Sequence, residues 1–278
     1  MKTILTFMLF LFVRTAAATL SIVFAAAGHG DAALITTPAG RQLLVDCGGS
    51  RFARQGLVPL LRSRGVRELD AFILTHPHDD HIGGAQALLA AFRVYRLFDP
   101  GYACNSPAYR QILLAAEGKK IPLVFPHSGS VLYREQGLTI TVLSPPPRLF
   151  YHTKSDYNNN SLVLLLRHGA TSVLLTGDIE REGLHVLLQA YPGLRCTLVK
   201  VPHHGSVTGL VPGLYARLAP RYAVITGGPA GAAPSPRVMD DLRQAAVRVF
   251  RTDRAGHITV RGNGRRLVVT GQYMPILP

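Results

Sequence analysis

The chain has 278 residues, of which 47% are hydrophobic and 17% are charged. This composition supports one large domain or two small ones with a real core, and it excludes an intrinsically disordered chain. Three cysteines are too few, and odd in number, to build a disulfide framework. The formal net charge of +14 favours polyanionic partners such as nucleic acid, although scattered arginines on a solvated surface would give the same total.

The N-terminus has the pattern of a secretory signal peptide. Lys2 precedes an apolar stretch over residues 4–13, and alanines follow at 16–18. Ten apolar residues are too few to span a bilayer, so we expect no permanent transmembrane helix and an exported, periplasmic or extracellular protein. Arg14 is atypical of a signal peptide. A buried leading strand, or the remnant of a longer membrane protein, are the alternatives.

Strands and helices alternate along the rest of the chain. Hydrophobic periodicity and turn residues predict hairpins, then a β-α-β series, then hairpins again. The predicted strands cover residues 19–24, 33–36, 42–45, 71–74, 94–98, 131–133, 138–143, 162–166, 172–175, 197–201, 223–226, 247–250, 257–260 and 266–270. The predicted helices cover residues 52–64, 85–91, 107–117, 180–189 and 236–246, and residues 148–160 form a polar loop.

The most informative stretch places three histidines and two aspartates within six residues, directly after the apolar strand 71–74. His76 and His78 are two residues apart, so both can lean toward one point from an extended segment. Asp80 and His81 suit a second point close by. Imidazole nitrogens and carboxylate oxygens are ligands for Zn²⁺ or Mn²⁺, and no cysteine is nearby to suggest a closed structural site. The pattern H-x-H-x-D-H therefore predicts a metal site.

Two later strands also end in polar side chains. Asp178 follows strand 172–175, and if the strands are neighbours it lies at the same sheet edge and bridges two cations; a helix N-cap is the alternative. His203 and His204 follow strand 197–201. We assign the ligand role to His203, which is nearer the strand end, and the role of proton donor or anion contact to His204, although the two could be exchanged.

These residues together leave room for two divalent ions, Zn²⁺ or Mn²⁺. Such a pair lowers the pKa of a water toward neutrality and clamps the oxygen on which charge develops, so the reaction class is metal-assisted hydrolysis. The Ser206 hydroxyl and the Gly205 N–H suit a phosphate or another oxyanion. We therefore expect Asp80, His204 and Ser206 to act on the substrate.

H-x-H-x-D-H is the signature of the metallo-β-lactamase superfamily, and the surrounding residues resemble the hydrolase domain of the ComEC family of DNA-uptake channel proteins. The resemblance covers roughly residues 18–271. It implies a mixed α/β (α+β) fold, the four-layer αββα sandwich, over residues 19–278 with the site at the shared edge of two sheets. The stretches that carry it are Gly-His-Gly-Asp-Ala at 28–32, Leu-Val-Asp-Cys-Gly at 44–48, 69–84, Asn-Asn-Asn-Ser-Leu at 158–162, Leu-Thr-Gly-Asp at 175–178 and Val-Pro-His-His-Gly-Ser at 201–206.

The resemblance also implies supporting residues. Asp46 takes the place of a carboxylate behind the metals, where it can orient a ligand histidine; a turn or cap aspartate is the alternative. Asn160 and Ser161 lie where many superfamily hydrolases have a further ligand histidine, and no histidine here has the matching context. One metal would then have fewer protein ligands, which makes Mn²⁺ as plausible as Zn²⁺. The resemblance also places His29 near the site edge, where contact with the substrate is the alternative, but we expect it to be a surface residue.

The expected function is a metal-dependent phosphodiesterase or nuclease that acts on DNA or another phosphodiester. Any transport role would need a membrane uptake channel as partner. A hydrolase of a small ester, lactone or phosphorylcholine-type substrate is the second hypothesis, and the basic excess argues against it. A catalytically inactive DNA-binding module of an uptake apparatus is the third, and the intact ligand set argues against it.

Overall fold

The computed structural model describes residues 19–227 and 233–273. In these ranges the strands are β1 (Leu20–Phe24), β2 (Ala33–Thr36), β3 (Gln42–Val45), β4 (Glu68–Leu69), β5 (Ala71–Ile73), β6 (Arg93–Val94), β7 (Leu97–Phe98), β8 (Leu123–Val124), β9 (Val131–Glu135), β10 (Leu138–Ser144), β11 (Val163–His168), β12 (Thr171–Leu175), β13 (Leu198–Lys200), β14 (Tyr222–Ile225), β15 (Arg248–Arg251), β16 (Ile258–Gly262) and β17 (Leu267–Gly271).

The helices of the same ranges are α1 (Ser50–Phe52), α2 (Val58–Ser63), α3 (Asp79–Ile82), α4 (Ala85–Ala91), α5 (Pro107–Gly118), α6 (Asp156–Asn159), α7 (Arg181–Ala190), α8 (Leu214–Leu218), α9 (Pro236–Gln244) and α10 (Thr252–Ala255). A π-helical turn, Ala53–Leu57, joins α1 to α2, and 3₁₀ turns cover Pro202–Gly205 and Val207–Gly209.

The strands form two large sheets. The first has eight strands in the order β17-β16-β1-β2-β3-β5-β7-β8, and the second has seven in the order β15-β14-β13-β12-β11-β10-β9. Strands β3, β5, β7 and β8 run parallel, as do β12, β13, β14 and β15, whereas the remaining neighbours in the two sheets are antiparallel. A separate two-stranded pair is formed by β4 and β6.

The core has three apolar layers, because neighbouring residues of a strand face opposite sides of its sheet. Ile73 of β5 and Leu164 of β11 point into a cluster between the two sheets. Phe72 packs outward on a cluster that includes residues of α2, α4 and α5. Leu165 packs outward on a cluster that includes residues of α7, α8 and α9. Helices, sheet, sheet and helices therefore follow one another, and the predicted αββα sandwich is confirmed.

Three predicted elements differ from the structure. The helix predicted over residues 52–64 begins at Ser50 and contains the π-helical turn. The strand predicted over residues 94–98 is two short strands. Of these, β6 pairs with β4, and β7 pairs with β5 in the eight-stranded sheet. The polar loop 148–160 contains α6, whose turn is closed by hydrogen bonds from the Asn159 N–H to the Ser155 carbonyl and from the Asn160 N–H to the Asp156 carbonyl.

The predicted signal peptide and the domain boundary after residue 18 fall outside the described residues. No helix within residues 19–227 and 233–273 has the length and apolar character needed to cross a membrane.

The topology brings several strand ends to one edge of the sandwich. Asp46 follows β3, the H-x-H-x-D-H stretch follows β5, Asp178 follows β12, and two histidines follow β13. Because parallel strands end at the same edge of their sheet, these residues meet across the two sheets. Asp46, His203 and His204 have φ values of 56°, 46° and 52°. Non-glycine residues with a left-handed backbone are uncommon, and such strain is found most often at functional sites.

Candidate metal centre

Four side chains form the most compact part of the site. The donor atoms of Asp80, His81, Asp178 and His204 all lie within 4.8 Å of one another. His81 Nε2 is 3.2 Å from Asp178 Oδ2 and 3.4 Å from His204 Nε2. His204 Nε2 is in turn 3.3 Å from Asp80 Oδ2. Two imidazole nitrogens and two carboxylates thus face a common point, as a tetrahedral or larger coordination sphere requires.

A second set of donors lies beside the first, also next to Asp178. His76 Nε2 is 3.0 Å from His78 Nδ1 and 3.9 Å from Asp178 Oδ2. His76 is completely buried. We call His76, His78, Asp80, His81, Asp178 and His204 the ligand cluster. Asp178 is adjacent to both halves of this cluster, and the half with His76 and His78 has fewer donors than the half with Asp80.

The two histidines after β13 differ in position. His204 is 3% exposed, and its Nδ1 lies 3.1 Å from the Thr226 carbonyl oxygen, which leaves Nε2 directed into the cluster. The side chain of His203 is 27% exposed, and its Nε2 is 3.9 Å from Asp178 Oδ2. The prediction that His203 is the ligand rested on its position nearer the end of β13, with exchange of the two histidines left open. Because both residues have a left-handed backbone, the second histidine reaches the cluster, and the geometry favours exchanging the two roles.

His203 is held from outside the cluster. Its Nδ1 lies 3.1 Å from Glu180 Oε1 and 2.9 Å from the Thr208 hydroxyl. Glu180 also accepts a hydrogen bond from the Asn158 side chain at 2.8 Å. Burial raises the pKa of Glu180, but the hydrogen bonds from His203 and Asn158 outweigh it and lower that pKa, so the carboxylate stays charged beside the imidazole.

Asp46 lies directly behind the cluster. Its Oδ2 is 2.8 Å from His81 Nδ1 and accepts a hydrogen bond from the Thr75 hydroxyl at 2.7 Å, and its Oδ1 accepts from the Thr75 N–H at 2.8 Å. A carboxylate on one ring nitrogen fixes the tautomer and directs the other nitrogen toward a metal. This is the position that the resemblance implied for Asp46.

The other predicted supporting residues are placed differently from one another. The Ser161 hydroxyl accepts a hydrogen bond from the Asp178 N–H at 3.2 Å, so it supports the cluster. Asn160 instead pairs with the backbone N–H and carbonyl of Phe150, both at 2.9 Å, and so holds the polar loop. Ser206, which was expected to act on the substrate, accepts a hydrogen bond from the Thr208 N–H at 3.3 Å.

Two charged residues of the site were missed by the sequence analysis. Lys200 is 3% exposed, and its Nζ donates to Asp31 Oδ2 at 2.6 Å, to Asp178 Oδ1 at 3.1 Å and to the Gly177 carbonyl at 2.8 Å. A lysine inside an otherwise apolar strand was the available signal, since such a residue is buried only when it is paired. Asp31 was quoted in the motif at 28–32 but received no role.

His29 was expected to be a surface residue, and its side chain is indeed 54% exposed. Its ring nevertheless lies 4.7 Å from the ring of His204, and its Nε2 is 3.5 Å from Asp80 Oδ2. His29 therefore lies at the mouth of the ligand cluster.

The site has an excess of negative charge. Four carboxylates, from Asp31, Asp46, Asp80 and Asp178, lie in the site, and the ammonium group of Lys200 pairs with two of them, Asp31 and Asp178. Burial lowers the pKa of His81, but the carboxylates of Asp178 and Asp46 outweigh it and hold that pKa well above its usual value. In the same way, Asp178 and Asp31 raise the pKa of His204 to about 9 against the effect of burial. The nitrogen and oxygen donors and this excess charge fit divalent cations.

The sequence profile described as the Metallo-beta-lactamase superfamily matches residues 25–226, most of the chain. The chain therefore belongs to the metallo-β-lactamase superfamily, and the predicted family is confirmed. Together with the ligand cluster, this makes it a metal-dependent hydrolase of that superfamily.

Competence proteins are among its relatives. The chain is 32% identical to ComE operon protein 3 of Bacillus subtilis (strain 168) over 256 residues, which is 86% of this chain and 32% of that protein. It is 31% identical to competence protein ComA of Neisseria gonorrhoeae over 233 residues, 83% of this chain and 30% of that one. The resemblance to the ComEC family is thus confirmed, and the chain spans about a third of the length of these relatives.

Solved structures show the same fold at low identity. The metallo-β-lactamase fold protein YhfI of Bacillus subtilis superposes with a TM-score of 0.56 at 16% identity, over 87% of this chain and 100% of that one. CmlA, a diiron β-hydroxylase of Streptomyces venezuelae, gives a TM-score of 0.56 at 15% identity, over 87% of this chain and 54% of that one. The fold alone therefore does not specify the reaction.

Proposed function

We propose that the chain is a phosphodiesterase or nuclease that hydrolyses DNA or another phosphodiester at the ligand cluster, with two divalent ions, Zn²⁺ or Mn²⁺. The observation that carries this proposal is the contrast between an acidic, cation-binding centre and a chain whose net charge is +14. A cationic protein concentrates a polyanion around itself, and a metal centre gives the phosphate a place to bind. The similarity to competence protein ComA of Neisseria gonorrhoeae supports DNA as the substrate.

In this proposal Asp80, His81, Asp178 and His204 hold one ion, and His76, His78 and Asp178 hold the second. When bound, the ions would make hydroxide available from water near neutral pH and neutralise the charge that develops on the phosphate. Asp46 fixes the ring of His81, and Lys200 fixes Asp178 from the side opposite the donor oxygen Oδ2.

The proton for the leaving oxygen comes from His203 in this proposal. Glu180 accepts a hydrogen bond from Nδ1–H of that ring, so the second proton of the cationic imidazolium, on Nε2, faces the partly exposed mouth of the site. A positioned imidazole of this kind typically contributes 10²–10⁴-fold to a hydrolysis rate. His29, on the same mouth beside Asp80, is placed to contact a phosphate oxygen.

The wider setting is also part of the proposal. Because the chain corresponds to about a third of ComE operon protein 3, we propose that it acts outside the cytoplasm beside a membrane uptake channel, with nucleic acid as its partner.

The test is a substrate panel on the purified chain, stripped of metal and reloaded with Mn²⁺ or Zn²⁺. The panel contains bis(p-nitrophenyl) phosphate, single- and double-stranded DNA and a set of lactones. We expect the diester and DNA to be cleaved, and DNA affinity to fall steeply with salt, because phosphate contacts release counterions. Asp178→Asn is the inactive control.

Two results would contradict the proposal. If a lactone is turned over at a rate that does not depend on salt, and DNA is not bound, the chain is a hydrolase of small substrates. A neutral ester is not attracted to the protein over a long range, so salt has no such attraction to screen. DNA binding without cleavage under any metal indicates an inactive binding module.

A further inference from the structure

Three tyrosines from two separate loops form a continuous aromatic surface next to the ligand cluster. The ring of Tyr102 lies 5.2 Å from that of Tyr151, tilted by 34°, and 5.4 Å from that of Tyr157, almost perpendicular at 87°. We call Tyr102, Tyr151 and Tyr157 the tyrosine shelf. Tyr151 at its outer end is 58% exposed, so a large aromatic ring faces solvent there.

The shelf begins where the ligand cluster ends. The ring of Tyr157 lies 5.7 Å from the ring of His78 and perpendicular to it. His78 Nδ1 is itself 3.0 Å from His76 Nε2. A ligand whose phosphate lies at the cluster therefore has the shelf beside it.

One carboxylate links the two segments of chain that carry the shelf. Asp156 accepts a hydrogen bond from the Tyr102 hydroxyl at 3.0 Å, which ties the loop after β7 to the loop before α6. The same carboxylate accepts from the His152 N–H at 3.0 Å and from the Thr153 N–H at 2.7 Å. Rings that are already ordered lose little entropy when a ligand stacks on them.

Resting on the proposed phosphodiesterase function, we propose that the shelf stacks a nucleobase of single-stranded nucleic acid whose neighbouring phosphate lies at the ligand cluster. A free base face stacks on an aromatic side chain with about 1–3 kcal/mol per base, and this stacking tolerates any sequence. In a duplex, base faces are covered by neighbouring pairs, so the shelf favours single strands. Arg148 and Lys154, both exposed on the loop that carries Tyr151, supply positive charge for the sugar-phosphate backbone.

The test compares oligonucleotides with and without a base. Two fluorescently labelled single strands are titrated into the full chain reloaded with Mn²⁺ or Zn²⁺: one of normal thymidines, and a matched one with a run of internal abasic sites. Both strands carry phosphorothioate linkages, which resist hydrolysis, so that binding is measured without cleavage. For Tyr151→Ala we expect roughly 5- to 150-fold weaker binding of the base-bearing strand, which is the stacking energy expressed as an affinity ratio. The abasic strand should lose little affinity for Tyr151→Ala. The difference in affinity between the two strands should therefore largely disappear.

Two variants serve as controls. Tyr151→Phe keeps the aromatic face and should bind both strands as the wild type does. Tyr95→Ala removes another exposed tyrosine, which precedes β7 at the sheet edge opposite the ligand cluster, and should leave both affinities unchanged.

The stacking proposal would be overturned if Tyr151→Ala lost the same factor in affinity for both strands, or if it bound both strands as the wild type does. This outcome is separate from failure of the proposed function. If binding depends on Tyr151 but no phosphodiester is cleaved with any metal, the shelf stands and the enzymatic proposal is wrong. If bis(p-nitrophenyl) phosphate is cleaved and Tyr151→Ala binds both strands normally, the enzymatic proposal stands and the shelf is wrong.

Discussion

The ligand cluster and the tyrosine shelf are neighbours, but they are held in different ways. His76, His81 and Asp178 are at most 1% exposed, and their polar atoms lie beside other buried charged or polar groups. Tyr151 is mostly exposed, and the shelf depends on hydrogen bonds between two loops. A buried charge is tolerated only when it is paired, so a change in the cluster alters stability and chemistry together. A change in the shelf should alter ligand binding alone.

The largest effect is expected at Asp178, which both halves of the cluster share. Asp178→Asn keeps the shape of the side chain but removes the charge between His81, His76 and Lys200. We expect hydrolysis of bis(p-nitrophenyl) phosphate to fall at least about 10²-fold, in line with the loss of a group that stabilises transition-state charge. Circular dichroism should show that the fold is retained.

Asp240→Asn is the matched control for that substitution, because Asp240 is exposed in an ion pair with Arg243. It should retain wild-type activity. Wild-type activity and metal content in Asp178→Asn would mean that this aspartate has no role as a ligand.

The second effect concerns stability and sharpens the contrast between the two regions. Lys200→Met leaves Asp31 and Asp178 buried without their cation, which should lower the free energy of unfolding of the metal-free protein by about 3–5 kcal/mol. Tyr151→Ala, on the exposed shelf, should change it by no more than about 0.5 kcal/mol. Urea unfolding in the presence of a chelator measures both.

A double variant tests whether the pairing is the cause. Asp31→Asn combined with Lys200→Met removes one charge of each sign, so part of the lost stability should return. If the stability losses of the two single variants simply add in the double variant, Lys200 and Asp31 do not interact.

The third effect separates two adjacent histidines. His204→Ala should remove one bound ion and most activity, because His204 Nε2 lies in the four-donor group. His203→Ala should keep the metal content and lose roughly 10²-fold in kcat, because it removes a proton donor and not a ligand. Elemental analysis and the pH profile of kcat distinguish the two. Metal loss in His203→Ala with full occupancy in His204→Ala would restore the assignment made from the sequence.

The smallest effect concerns Asp99, which supports the loop that carries Tyr102. Its Oδ1 accepts hydrogen bonds from the Gly101 N–H at 2.7 Å and from the Tyr109 hydroxyl at 3.0 Å, and burial raises its pKa to about 6. Because the folded pKa is raised above the unfolded value, the protonated form is favoured by folding. That stability is present below about pH 4 and is lost as the pH rises through about 6.

Asp99→Asn can still accept both hydrogen bonds and carries no charge. We expect it to be more stable than the wild type above pH 6, by roughly 1–3 kcal/mol, and to show little gain at pH 4. Urea midpoints at the two pH values measure this. Asp253→Asn should behave oppositely and lose stability at pH 8, since hydrogen bonds from Arg251 lower the pKa of Asp253.

The sequence predicted the fold and the first half of the cluster because that information is local. H-x-H-x-D-H lies in six consecutive residues behind one apolar strand, and the resemblance carried by such local motifs implied the αββα layers, which the alternating elements fit. The orientation of His203 and His204 depended on a left-handed backbone at both residues. The sequence does not indicate this conformation, because no glycine precedes Gly205 in the turn. The Lys200–Asp31 pair and the tyrosine shelf join residues far apart in the chain, and such contacts leave no pattern in a single sequence.

The number of ions that the ligand cluster binds tests the metal centre most directly. Metal-free protein is incubated with excess Zn²⁺ or Mn²⁺, desalted and analysed for metal and protein content. We predict up to two ions per wild-type chain and one per His78→Ala chain, because that substitution leaves Asp80, His81, Asp178 and His204 in place. A wild-type chain that retains no ion with either metal would contradict the assignment of this site.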